Sequence, residues 1–232
     1  MKEIGAGAFS STGANTITFG NNLETIGEGA FTWSNVTSLV LPDTLKTIGD
    51  SAFSLNTSLV SLTLGVGLVT LDENAFYNCQ KLTGQISLGS NFANYLPGSF
   101  ANCIKIEDFQ VDTNNKSFVS KDGLLLSHDQ KEVFAYASSH KNNGTVVSSL
   151  TLPDTVTTIK KRGLDGAVYL TSLTLSSSLT TIEEEAFANT NGVKTLNIPT
   201  SVSFVGKNAF KYFTSSQTVH FNCTEDFARM NF

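Results

Sequence analysis

The sequence predicts an α/β repeat solenoid: stacked short coils with a parallel β-sheet along one face, short helical or 3₁₀ turns along the other, and one inserted β-hairpin. Three observations carry this reading. A six-residue phrase recurs at a near-constant step, a strand-like phrase recurs on the same beat, and the beat breaks once, at a segment rich in turn signals.

The first phrase, Ile-Gly-x-x-Ala-Phe, occupies residues 4–9, 26–31 and 48–53 and returns in altered form at 71–76, 95–100, 159–164, 182–187 and 205–210. Its closing residues, Phe9, Phe31, Phe53, Phe76, Phe100, Leu164, Phe187 and Phe210, step by 22, 22, 23, 24, 64, 23 and 23. Self-similarity at a fixed short period identifies a repeat architecture and overrides local readings. The second phrase ends at Phe19, Leu41, Leu64, Leu88, Val111, Leu152, Leu175, Ile198 and Phe221. It alternates, as in Leu39-Val40-Leu41, which is the pattern of a half-buried strand. Pro42, Pro153 and Pro199 follow strands directly, where a missing N–H ends the pairing. One unit cannot cover its own apolar side. Stacked units place Leu over Leu and Phe over Phe, giving one leucine-rich-repeat solenoid of about nine coils over residues 1–232. Gly5, Gly27, Gly49 and Gly206 follow the phrase's first residue and are expected at a tight bend.

The step from Val111 to Leu152 is 41 residues, so one unit is enlarged. Asp122-Gly123 separates two strand-like runs, a hairpin-turn signal, and a second turn at 128–131 leads to Val133-Phe134-Ala135-Tyr136. The expectation is a β-meander projecting from the solenoid within 112–145. The chain opens in the middle of a repeat, as a piece of a longer protein would. Residues 227–230 are expected to form a partial end cap, with none at the start, so end-to-end association would be unsurprising and the oligomeric state stays open.

The phrases Ile-Gly-x-x-Ala-Phe, Ala-Phe-x-x-Cys at 75–79 and Leu-x-Leu-Pro-Asp-x-Leu at 39–45, with the Lys-Asp-Gly-Leu-Leu hairpin after Val111, resemble the BspA-like leucine-rich-repeat family over nearly the whole chain. That resemblance implies a protein of bacterial surfaces or of some parasitic protists, without a common catalytic activity, and in some members adhesion to host matrix proteins or to other cells. It supplies no ligand residues that map onto this chain.

Composition narrows the function classes. A net charge of -5 with only 15% charged residues argues against nucleic-acid or anionic-membrane partners, which need clustered Lys and Arg. No apolar run is long enough for direct membrane insertion. His128, His140 and His220 are dispersed and no Cys-x-x-Cys exists, so neither a metal nor another cofactor is expected. Glu183-Glu184-Glu185 and Asp72-Glu73 fall at equivalent turns; paired carboxylates can serve glycoside chemistry, but a solvated turn is the plainer reading. Cys79 and Cys103 hold equivalent positions in adjacent coils, open either to a disulfide or to a ladder of buried free thiols. Five Asn-x-Ser/Thr sequons begin at Asn35, Asn56, Asn115, Asn143 and Asn222.

Two surfaces remain as candidates. With Leu, Ile and Phe turned inward, the strands turn outward Thr16 and Thr18, Ser38 and Val40, Ser61 and Thr63, Gln85 and Ser87, Asp108 and Gln110, Ser149 and Thr151, Ser172 and Thr174, Thr195 and Asn197, and Thr218 and His220. This is a hydroxyl- and amide-rich face for an extended protein or glycan, or simply the residues that suit exposed strands. The insertion offers Phe118, His128, Phe134 and Tyr136 as partly exposed contacts, or else packs as a structural staple. The functional expectation is a non-enzymatic module, extracellular or at the cell surface, that binds a host matrix protein, a cell-surface protein or a glycan. The alternative is a spacer segment without a ligand of its own.

Overall fold

The computed structural model describes residues 1–222; Cys223 and the cap expected at 227–230 lie outside them. Before the insertion come β1 (Glu3–Ile4), β2 (Thr25–Ile26), β3 (Ser38–Val40), β4 (Thr47–Ile48), β5 (Ser61–Thr63), β6 (Thr70–Leu71), β7 (Gly84–Leu88), β8 (Asn94–Tyr95) and β9 (Ile106–Val111). The insertion holds β10 (Phe118–Lys121), β11 (Leu124–Ser127), β12 (Glu132–Tyr136), β13 (Lys141–Asn142) and β14 (Thr145–Val146). After it come β15 (Ser149–Thr151), β16 (Thr158–Ile159), β17 (Ser172–Thr174), β18 (Thr181–Ile182), β19 (Thr195–Ile198), β20 (Phe204–Val205) and β21 (Thr218–Phe221).

Two strand systems climb the stack. The two-residue rungs β1, β2, β4, β6 and β8 pair in parallel in that order, with Ile4 beside Ile26 and Leu71 beside Tyr95. The strand face carries four parallel pairs, β3–β5, β7–β9, β15–β17 and β19–β21. β5 runs beside β7 and β17 beside β19, whereas the outer side of β9 meets β10 and β11. Alternation puts Leu39 inside and Ser38 and Val40 outside.

The turns correct the expectation of helical or 3₁₀ segments: there is no helix among the described residues. Around Phe9, the N–H groups of Gly7, Phe9 and Ser11 donate to Glu28, Ala30 and Thr32 of the next coil, each at 2.7 Å. Those of Ala8, Ser10 and Thr12 donate back three residues to Gly5, Gly7 and Phe9 at 3.3, 3.1 and 3.3 Å. An α-helix spends its N–H groups internally on residue i−4, so it would leave none for the neighbouring coil. Sharing them between local turns and the next coil requires left-handed residues two before and two after each closing position. Gly7, Gly29, Ser51, Asn74, Gly98, Arg162, Glu185 and Asn208 fill the first place, and Ser11, Trp33, Leu55, Asn78, Asn102, Gly166, Asn189 and Tyr212 the second, all with positive φ. Only Gly adopts this without strain, with Asn next; inter-coil bonding holds the rest there.

The glycines expected at a bend do something else. Gly27, Gly49 and Gly206 are not among the positive-φ residues. A Cβ on each would fall 2.8, 2.9 and 2.5 Å from Ala6 N, Glu28 N and Glu184 N of the preceding coil. Close approach of coils, not a turn, excludes the side chain.

Phe9, Phe31, Phe53, Phe76 and Phe100 stack nearly parallel, with centroids 5.1, 5.1, 5.2 and 5.2 Å apart, and all but the terminal Phe9 are buried. That spacing follows from the hydrogen-bonded separation of neighbouring coils. Leu164 interrupts the column before Phe187 and Phe210 resume it at 5.5 Å.

The insertion does not project. β10, β11 and β12 form an antiparallel meander, and β12 then pairs in parallel with β16, Val133 beside Ile159. β12 thereby serves as a rung. Leu124, Leu125 and Leu126 are all fully buried. Leu125 packs with Phe118 in the N-terminal core, while Leu124 and Leu126 pack with Leu150 and Ile159 in the C-terminal one. The meander is the partition between two cores, and three consecutive leucines are what a strand buried on both faces requires.

Candidate binding face

The outward strand residues form rows held by register. Ser61 and Thr63 lie beside Ser38 and Val40, Gln85 and Ser87 beside Asp108 and Gln110, and Ser149 and Thr151 beside Ser172 and Thr174. All of these are exposed except Asp108, which is half-buried. Ser61 Oγ donates to Ser38 Oγ at 2.7 Å, so neighbouring hydroxyls bond along the row. The rows carry a charge only at Asp108, whose carboxylate accepts the Phe109 N–H at 2.9 Å.

The four insertion residues are not brought together on a surface. Phe118 is buried, 5.5 Å from Phe92 and edge-on to Phe134 at 5.2 Å. Phe134 is half-buried and also meets Tyr95 edge-on at 6.1 Å. Tyr136 is buried; its hydroxyl has no hydrogen-bond partner, and burial pushes its pKa up to about 12. Only His128 is exposed. The expectation of partly exposed aromatics fails for Phe118 and Tyr136 because the meander sits between the coils, so these side chains complete the two cores.

Along β15 the insertion leaves a cleft of about 230 Å³ lined by Asp122, His140, Asn142, Val147, Ser149, Leu150 and Thr151. His140 packs on the hairpin turn: a Cβ at Gly123 would lie 2.7 Å from its Cγ. Its Nδ1 is buried, 3.6 Å from Asp108 Oδ1, and without a hydrogen-bond partner. Lys141 Nζ pairs with Glu107 at 2.7 Å beside it.

The opposite edge carries an ionic network that the sequence did not reveal. Arg162 Nη2 and Nε hold Glu185 Oε2 at 2.6 and 2.7 Å, and Lys211 Nζ holds Oε1 at 2.8 Å. The same guanidinium donates to Asn74 Oδ1 at 3.1 Å and lies 4.7 Å from the Tyr77 ring centroid. It crosses the intervening coil at Gly98, where a Cβ would stand 3.0 Å from Arg162 Cδ. Glu185 is buried, correcting the expected solvated turn; burial raises its pKa, but Lys211 and Arg162 outweigh this and hold it below the usual value. Burial likewise pushes Asp165 up to about 6, against a hydrogen bond from Asn189 at 2.8 Å. Arg162, Glu185 and Lys211 are paired across coils, so the network is a clamp.

The two cysteines are free and buried. Cys79 and Cys103 donate to the carbonyls of Phe53 and Phe76 at 3.3 and 3.0 Å. Ser34, Asn56 and Thr190 do the same for Phe9, Phe31 and Leu164. The position is a polar staple between coils. Asn56 and Asn115 are buried in such roles, which removes two of the five sequons from the surface. Among the described residues no three His, Cys, Asp or Glu side chains converge as metal ligands, and no helix is long and apolar enough to cross a membrane.

The sequence matches the BspA type leucine rich repeat region in six copies, over residues 2–121 and 137–229. The chain belongs to the BspA-type leucine-rich-repeat family. No curated protein matches it in sequence. Among solved structures, this BspA-type chain is similar to a leucine-rich-repeat protein from Eubacterium ventriosum, with a TM-score of 0.83 and 21% identity over 96% of this chain and 58% of that one. It is also similar to the pneumococcal vaccine antigen PcpA, with a TM-score of 0.71 and 26% identity over 90% of this chain and 56% of that one. A leucine-rich-repeat protein from Bacteroides ovatus follows at 0.52 and 20%, over 95% and 75%. The BspA-type chain thus spans less than two thirds of the first two.

Proposed function

We propose that this chain is a non-enzymatic binding module of a bacterial cell-surface protein, and that its partner, a protein or a glycan, lies along the strand face. The observation that supports this most is the composition of the rows. Ser61, Thr63, Gln85, Ser87, Gln110, Ser149, Thr151, Ser172 and Thr174 are exposed, uncharged hydrogen-bonding side chains on a register-locked scaffold. Glu183, Glu184 and Glu185 sit in cross-coil ion pairs, rather than converging on a shared pocket as an acid–base site would require. Membership of the BspA-type family and similarity to a vaccine antigen support the surface location.

Without large aromatics or clustered charge, the face lacks the usual hot-spot residues, so affinity comes from length and repetition. The test is binding of the chain to immobilised extracellular-matrix proteins and cell-surface glycans. Saturable binding to at least one is expected; no saturable binding to any contradicts the proposal.

A further inference from the structure

The strand face has a free backbone edge at the insertion. In β15, Ser148 O accepts from Ser172 N–H at 3.1 Å and Leu152 N–H donates to Thr174 O at 2.9 Å. In a parallel ladder successive residues turn their N–H and C=O to alternate sides, so residues 148, 150 and 152 serve β17. Ser149 and Thr151 therefore point their backbone groups the other way, into the cleft, and β15 pairs with no strand except β17. Val147 N–H, next on that side, is taken by His140 O at 2.8 Å. The facing strand differs: in β9 the N–H of Phe109 is capped by the Asp108 carboxylate and that of Val111 by Ser120 Oγ. At the other interruptions of this face the neighbouring strands still run side by side, whereas β15 has a cleft of about 230 Å³ along its edge.

We propose that Ser149 and Thr151 of β15 form a strand-addition site that takes an extended polypeptide segment, bound through their backbone N–H and C=O groups. An unpaired sheet edge is a template for another chain, and natural proteins either block it or use it. Of the two strands that flank the insertion, β9 has its N–H groups capped by the chain's own side chains and β15 is left open. A polypeptide supplies the alternating donors and acceptors that this edge needs; a glycan does not. The proposal rests on the binding-module reading and names its partner class.

A suitable probe is a peptide of residues 169–177, the segment containing β17, flanked by lysines for solubility. Its sequence already pairs with β15 in register, Ser149 beside Ser172, and the repeat lets the same sequence serve on either side. Hydrogen–deuterium exchange of the free chain should be fast at the Ser149 and Thr151 amides and slow at Leu150 and Leu152. Added peptide should slow the first pair alone. Ser149→Pro removes the cleft-facing N–H and leaves the β17 ladder; it should weaken peptide binding by about tenfold or more. If Ser149→Pro fails to fold, the exchange footprint on the parent chain decides alone. Protection absent at Ser149 and Thr151, protection arising from self-association of the chain, or peptide binding indifferent to a folded Ser149→Pro overturns the inference. If a matrix protein or glycan binds the strand face and Ser149→Pro leaves that binding intact, the binding-module reading stands and the strand-addition site falls.

Discussion

The turn edge and the strand face repeat on the same step yet handle the enlarged unit in opposite ways. At the turn edge the stack closes over the interruption: Asn102 N–H reaches Asp165 O at 3.4 Å, Leu164 N–H reaches Ala186 O at 2.9 Å, and Arg162 clamps three coils. On the strand face the stack opens, with the meander beside β9 and a cleft along β15. The difference teaches where each property resides. Cohesion sits where backbone bonds, Phe rings and polar staples recur from coil to coil. Variation is tolerated where side chains face solvent.

Six substitutions sharpen or break that comparison. The largest effect is expected for Phe53→Ala, which empties a fully buried place in the ring column; urea denaturation should show a loss of about 3–5 kcal/mol. Arg162→Ala comes next. It leaves the buried Glu185 with Lys211 alone and uncouples Asn74, for a loss of about 2–3 kcal/mol. Lys161→Ala, which removes a more exposed pair with Glu184 at 3.3 Å, should cost under about 1 kcal/mol, and equal losses for the two would refute the clamp.

Asp165→Asn acts in the other direction. Its folded pKa of about 6 exceeds the reference value of 3.8 because burial disfavours the carboxylate. Between those values the folded state keeps a proton that the unfolded chain has released, so this group's contribution falls as pH rises through the window. The variant retains an acceptor for Asn189 and should be more stable by about 1–2 kcal/mol above pH 6, with the gain vanishing below about pH 4; a gain independent of pH would contradict the account. The smallest effect belongs to the strand face, where Ser61→Ala or Thr174→Ala should shift stability by no more than about 0.5 kcal/mol.

Much of this was legible in the sequence, for reasons visible in single residues. The 22- to 24-residue step of the Phe column fixed the stacking, and strict alternation around Leu39, Leu150 and Leu173 separated inward from outward residues, as the register confirms. The turns were misread because Ala-Phe in a short polar segment looks helical locally. What excludes a helix is bonding to residues one coil away, and the only local sign is the run of Gly and Asn at positions 7, 29, 74, 78, 98, 102, 189 and 208. The insertion was misplaced because its Asp-Gly hairpin drew more weight than Leu124-Leu125-Leu126, which already announced a strand covered on both sides. The clamp was invisible because Asn74 and Arg162 are 88 residues apart, and only the solenoid makes them neighbours.

Binding and unfolding measured together on one double variant, Thr63→Arg with Thr174→Arg, test the division of labour most directly. Both residues are exposed on separate strands of the face, so the account predicts a urea midpoint close to that of the parent and loss of saturable binding to whichever partner the parent recognises. A variant that binds that partner with unchanged affinity, or that loses binding only because it unfolds, would contradict the placement of recognition on the strand face and of cohesion on the turn edge.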